Sequence, residues 1–292
     1  MNLRSAAGGA FMLLSAAAMP LNGWAAPGDN PPPEPLQQAP AQQKEFLPVH
    51  STMQTDIGQY ANGMFLAYVR TTNDSFNRMA ELGLKNLAFE SHRRSTMEPT
   101  GVVGVDIEND DLSFFPFLLF QVTNDTPRLS DQARLKVQQY LANGGEIFFD
   151  VLSGRVNESE PLKTMLNDLQ ISQPQLLEEG HALTQSFYLV SELPGIHNRP
   201  VWVESDNPSM GESTTSVIIG SNNWAGAWSG RFTEPEVTEK ALRAGLNMFS
   251  FSLAGNYKTD PVHEETITMK RENQRAAERR DAERLAPAPS GE

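Results

Sequence analysis

The chain has 292 residues, 39% of them hydrophobic and 20% charged, with no cysteine. That length supports a substantial core in one large domain or two small ones, while the missing thiol excludes disulfides, cysteine-ligated zinc, iron–sulfur clusters and a cysteine nucleophile. Asp and Glu outnumber Lys and Arg 36 to 23, so a net charge of −13 repels nucleic-acid phosphates and anionic lipid, and no later apolar run is long enough for a polytopic membrane protein.

Residues 1–25 have the form of a secretory signal. Arg4 supplies the positive start, Ala10 to Leu14 and Ala16 to Ala18 the short apolar stretch, and Gly23 and Ala25 the small residues of a cleavage site. The expectation is a periplasmic or secreted protein with no stable membrane insertion after cleavage. Residues 26–48 form a Pro/Gln-rich linker that cannot bury a core and favours an extended form. The folded part is expected over 60–263, followed by a charged helical tail and disordered end over 264–292.

Within the folded part, strand and helix patterns alternate. Met64 to Arg70 predicts a strand, and Phe76 to Arg93 a helix through Met79, Leu82, Leu84, Leu87 and Phe89. Val102 to Ile107 is a short β-branched run. Phe115 to Val122 is apolar throughout, as a strand buried on both faces requires. Ser130 caps a helix carrying Ala133, Leu135, Val137, Tyr140 and Leu141, which stops at Asn143-Gly144-Gly145. Ile147 to Leu152, Val201 to Val203 and Val217 to Gly220 predict further strands, and a last helix runs from about Pro235 to Leu253. The order argues for βαβ units and a three-layer α/β fold, a mostly parallel sheet flanked by helices. Ligands in such folds collect beyond the C-terminal ends of the strands. The polar residues there are Arg70, Asn124, Asp125, Asp150, Ser153, Arg155 and Ser221 to Trp224.

Several chemistries lack their motif. There is no phosphate-cradling G-x-x-x-x-G-K-[ST] and no G-x-G-x-x-G after a strand, and none of His50, His92, His181, His197 and His263 pairs at helical spacing. Neither cofactor nor metal is expected. Asp106 to Asp110 alternates acids, but Asp111 and Phe117 stand where a calcium loop needs glycine and a bidentate acid, so the stretch reads as an acidic turn. A serine hydrolase needs a hydroxyl beside a base. G-x-S-x-G is absent; Ser153 or Ser221, with His181 or His263 as base and Asp150 or Asp260 to orient it, are the residues available. Trp224-Ala225-Gly226-Ala227-Trp228 could offer a flat aromatic platform, although two indoles closing the end of the core is the favoured reading.

Taken in order, a set of stretches resembles a known family. They begin with Ala67-Tyr68-Val69-Arg70, Gly83-Leu84 with Leu87, Glu98-Pro99 and Gly104-Val105-Asp106. Leu112 to Pro116, Tyr140 to Gly145 and Phe149-Asp150 follow. Then come His181 to Leu189, Leu193-Pro194-Gly195 and Val201 to Glu204. Val217 to Trp228, Gly245-Leu246-Asn247 and Leu253 to His263 complete the set. Together they resemble the bacterial domain of unknown function 4159. The resemblance implies a class I glutamine amidotransferase-like, flavodoxin-like fold. It does not imply amidotransfer, which needs a cysteine. It also implies relatives with a membrane-anchored N-terminal region, whose genes lie near MoxR-type ATPases and von Willebrand A-type proteins. Relatives tend to carry Asp where Gly180 and Asn223 stand here, so a metal site or acid–base pair would lose two carboxylates.

The expected function is therefore a non-catalytic envelope domain that binds a ligand or protein partner at the strand ends. Its ligand-binding set would be Asp150, His181, Asn222, Asn223 and Trp224, with Lys258, Asp260 and His263 from the N-Y-K-x-D-x-x-H stretch. The alternative is the serine hydrolase. Convergence of Asp150, His181 and Asn223 on one cavity would favour a site of either kind.

Overall fold

The computed structural model describes residues 52–53, 58–171, 174–204 and 215–254. A short helix α1 (Gly58–Ala61) precedes strand β1 (Phe65–Val69), every residue of which is buried. Helix α2 (Asp74–Arg94) opens on Asn73, whose side chain accepts from the Ser75 backbone N–H; Asp74 in its first turn and His92, Arg93 and Arg94 in its last complement the helix dipole. Strands β2 (Gly101–Val105) and β3 (Phe117–Val122) follow. Helix α3 (Asp131–Ala142) is capped by Ser130 as its sequence predicts, and Gly144, at φ 85°, supplies the left-handed turn into β4 (Glu146–Val151). The sequence reading lacked α1, helix α4 (Glu160–Asp168) and the two-residue strand β5 (Gln175–Leu176). After β6 (Trp202–Val203) and β7 (Val217–Gly220), the tryptophan motif forms a short helix α5 (Trp224–Trp228). A final helix α6 occupies 235–254.

The strands build one seven-stranded sheet in the order β2-β1-β3-β4-β7-β6-β5. Neighbours from β2 through β7 run parallel. Strand β6 lies antiparallel to β7, and β5 antiparallel to β6, so the sheet is mixed but mostly parallel. Alternate residues of the central strands enter two apolar clusters, as the two-residue side-chain period requires. Leu66, Leu119, Phe148 and Ile218 pack with residues of α2, α5 and α6. Ala67, Leu118, Phe149 and Ile219 pack with residues of α3 and α4. Helices therefore cover both faces. Arg94 latches α2 to α6, its Nη1 and Nη2 donating to both Glu239 carboxylate oxygens at 2.9 and 2.7 Å.

One carboxyl is buried at the start of β4. Glu146 is 3% exposed, and burial pushes its pKa well above the usual carboxylate range. Ser252 Oγ on α6 lies 2.8 Å from Glu146 Oε2 and 3.0 Å from the Met248 carbonyl. A hydroxyl has one proton to donate. Both contacts are satisfied when a protonated Glu146 donates to Ser252 and Ser252 donates to Met248. The folded-state pKa is thus above the unfolded one. Stability from this group is fully present below pH ~4.5 and falls by about 1.4 kcal/mol per pH unit as pH rises toward the folded value. Glu146→Gln keeps a donor to Ser252 and cannot ionise. Urea unfolding should give equal stabilities near pH 4.5 and an advantage for the variant that grows as the pH is raised from there; parallel curves would contradict a protonated Glu146.

Candidate functional site

At the C-terminal edge of the sheet, the β7–α5 turn meets the end of β4. Asp150 is fully buried there. Its Oδ1 accepts from the backbone N–H groups of Asn222 and Asn223 at 3.1 and 3.0 Å, and its Oδ2 from that of Trp224 at 2.8 Å. Burial raises its pKa to about 6, against the opposing pull of the three N–H donors and the Arg199 charge. The carboxylate thus organises the turn that starts α5, where unpaired N–H groups need an acceptor.

Asn222 and Asn223 are bound into the same turn. The Asn222 side chain accepts from the Arg199 backbone N–H at 2.7 Å and donates to the carbonyls of Arg199 and Leu193 at 3.1 and 3.3 Å. Asn223 adopts the left-handed conformation, φ 51°, and its side chain caps α5 by accepting from Gly226 N–H at 3.1 Å. This is a conformation that Asn tolerates better than most residues. Both indoles of the motif are fully buried, donating to the Leu193 and Ala241 carbonyls, each at 2.9 Å. They close the core, and the flat platform is not available.

The structure brings Asp150, Asn222, Asn223 and Trp224 together, each already engaged by the protein. His181 is positioned differently. It opens a single 3-10 turn (Ala182–Thr184), its Nδ1 accepting from Leu183 N–H at 3.1 Å and its Nε2 3.4 Å from Thr215 Oγ1. Next to it, Gly180, Thr184, Gln185 and Leu189 help line a cavity of about 530 Å³. A second cavity, of about 340 Å³, lies between the turn after β3 and the start of α4, with Asn124, Thr126, Glu160 and Thr164 in its walls. Lys258, Asp260 and His263 lie outside the described residues, as does His50.

Ser153 Oγ accepts from Asn124 N–H at 3.3 Å, and Ser221 is 2% exposed. Among the described residues neither hydroxyl bonds to a histidine. Arg70, Asn124, Asp125 and Arg155 are exposed at the strand ends. The acidic turn is closed by the protein itself. Asp106 accepts from Glu108 N–H and the Asn109 amide, each at 2.9 Å, and the Lys136 ammonium donates to the carbonyls of Ile107, Glu108 and Asp110 at 3.3, 2.8 and 2.9 Å. A side-chain cation thus occupies the oxygen-rich concavity that suggested calcium.

Two residues of this edge escaped the sequence reading. Gln121, 2% exposed on β3, pairs in register with Asp150, and its buried amide nitrogen has no hydrogen-bond partner among the described residues. Arg199 bridges the strand-end loops, its Nη1 donating to the carbonyls of Gly154 and Ser221 at 2.8 and 3.1 Å. Neither sits in a local pattern that marks it, because both roles depend on partners distant in sequence.

No curated protein matches the sequence significantly. A family model described as a domain of unknown function, DUF4159, matches residues 65–253, from the first residue of β1 to within one residue of the end of the described chain. The ordered motifs and this match agree, and the chain belongs to the DUF4159 family.

Proposed function

We propose that this chain is an exported, non-catalytic domain of the class I glutamine amidotransferase-like, flavodoxin-like kind that binds a ligand or protein partner in the cell envelope. The parallel strand order β2-β1-β3-β4-β7, the doubly wound order with β7 as fifth strand, supports the fold assignment. The signal-like segment at 1–25 supports export, and the acidic balance argues against a nucleic-acid partner.

The observation that carries the non-catalytic reading is the engagement of Asp150. The carboxylate best placed for chemistry at the strand ends is committed to three backbone N–H groups. Nor does His181 have the orientation of a base for a serine. Its Nδ1 lone pair accepts from Leu183, which puts the proton of the neutral ring on Nε2. A hydrolytic histidine needs the reverse tautomer.

A fluorophosphonate probe is expected to leave the folded full-length protein unmodified, and osmotic shock to release the protein with the periplasmic fraction. An adduct on Ser153 or Ser221 that disappears on Ser→Ala would overturn the non-catalytic reading. Retention inside the cytoplasm would overturn the export reading.

A further inference from the structure

We infer that Arg199 is a carboxylate-binding residue at the edge of the sheet where β4 and β7 end. The inference rests on the binding-domain reading above and names the chemistry of the ligand.

Arg199 is held at both ends. The Asn222 side chain clamps its backbone N–H at 2.7 Å and its carbonyl at 3.1 Å. At the other end, Nη1 places its two hydrogens on the carbonyls of Gly154 and Ser221, at 2.8 and 3.1 Å, one from the loop after each strand. The side chain is therefore fixed before any ligand arrives, which removes most of the ordering cost of binding.

What that arrangement leaves open is one edge of the guanidinium. Among the described residues, Nε and Nη2 make no hydrogen bond, and no carboxylate lies within ion-pairing distance of Arg199. The same edge is filled elsewhere in the molecule. Arg128 presents its Nε and Nη2 to the two carboxylate oxygens of Asp168, at 2.7 Å each. Arg94 and Arg243 also meet carboxylates. In a chain with 36 acidic and 23 basic residues, a rigid arginine with an empty fork at the strand ends stands apart. Its charge reaches Asp150 and His197, lowering the pKa of each, but neither side chain hydrogen-bonds to the guanidinium.

The fork selects the ligand. Parallel N–H groups on Nε and Nη2 match the two oxygens of a planar carboxylate. One guanidinium balances one negative charge. A phosphate dianion would bring an excess charge against an acidic protein, and among the described residues no second cation shares the carbonyls that hold Arg199. A free carboxylate on a peptide or small metabolite therefore fits better than a phosphate ester.

The test uses the full-length exported protein and the side-chain Nε–Hε NMR resonance of Arg199, assigned by its loss in Arg199→Lys. N-acetylalanine is the probe, N-acetylalanine amide the neutral control and inorganic phosphate the competing anion. The acid is expected to shift that resonance saturably and the amide to leave it unmoved. In Arg199→Lys, which keeps a cation able to reach the same carbonyls but loses the fork, affinity should fall about tenfold while the unliganded Tm changes little. The wild-type titration stands on its own if the variant does not fold. An unmoved Arg199 resonance at saturating acid, a shift with phosphate and none with acid, or unchanged affinity in the lysine variant would each overturn the inference. A serine adduct with fluorophosphonate would overturn the non-catalytic reading and leave the Arg199 titration as it stands.

Discussion

Asp150→Ala is expected to lower stability by about 2–4 kcal/mol at pH 7, with a red-shifted tryptophan emission and faster amide exchange at residues 222–224. The alanine removes the acceptor of three N–H groups at once, those of Asn222 and Trp224 buried and that of Asn223 half-buried. Each orphaned donor costs more than a hydrogen bond is worth in water, because nothing else at that buried point accepts it. The damage spreads through the turn. Asn222 holds the Arg199 backbone, and the Trp224 indole holds the Leu193 carbonyl, so misplacing the turn loosens both. Asp150→Asn separates acceptor count from charge. Its oxygen can still serve Asn222 and Asn223, but its NH₂ group faces the Trp224 N–H, donor against donor. The asparagine should fall between wild type and alanine. If alanine costs less than about 1 kcal/mol, water reaches these N–H groups and the structural role assigned to Asp150 is wrong.

The central sheet could be read from sequence because its information is local. Phe117–Val122 and Glu146–Val151 are unbroken buried runs, and Ser130 with Asn143-Gly144 marks both ends of α3 by cap chemistry alone. The outer strands could not be read completely. Two residues carry no periodicity, and Gln175–Leu176 pairs only because β6 has already joined β7 antiparallel. Helix α5 was hidden for a related reason. Five residues are too few for a helical pattern, and its first turn is held by Asp150, 74 residues before Trp224.

The site shows the same division. Asp150, Asn222 and Asn223 could be picked out as polar residues after apolar runs, and they do cluster. Their role could not, because residue type does not say whether a carboxylate faces a ligand or three N–H groups of its own chain. Arg199 is the converse case. It sits in a polar loop with no motif around it, and its fixed position comes from Asn222, 23 residues later, and from Gly154, 45 residues earlier.

Gly83→Ala on α2 sets local propensity directly against packing. Mid-helix, alanine is favoured over glycine by about 1 kcal/mol, so an isolated α2 would gain. In the folded protein the new methyl would overlap the Ala225 carbonyl of α5 and come within 2.8 Å of the Ala225 Cα. These are backbone atoms and cannot rotate away. Helix α5 cannot slide either. Asp150 holds its N-terminus, the Trp228 indole donates to Ala241 at 2.9 Å, and Asn86 of α2 donates to the Trp228 carbonyl at 2.6 Å. Overpacking of this kind costs about 1–3 kcal/mol, and more where neither side can yield. We therefore expect a net loss of about 2 kcal/mol or more, read as a lower urea midpoint with an unchanged slope. A higher midpoint would mean that propensity prevails and that α2 and α5 are not in backbone contact at this point. Loss of stability with the helix itself strengthened would show that the contact, rather than α2 alone, sets how close the tryptophan helix can approach the sheet.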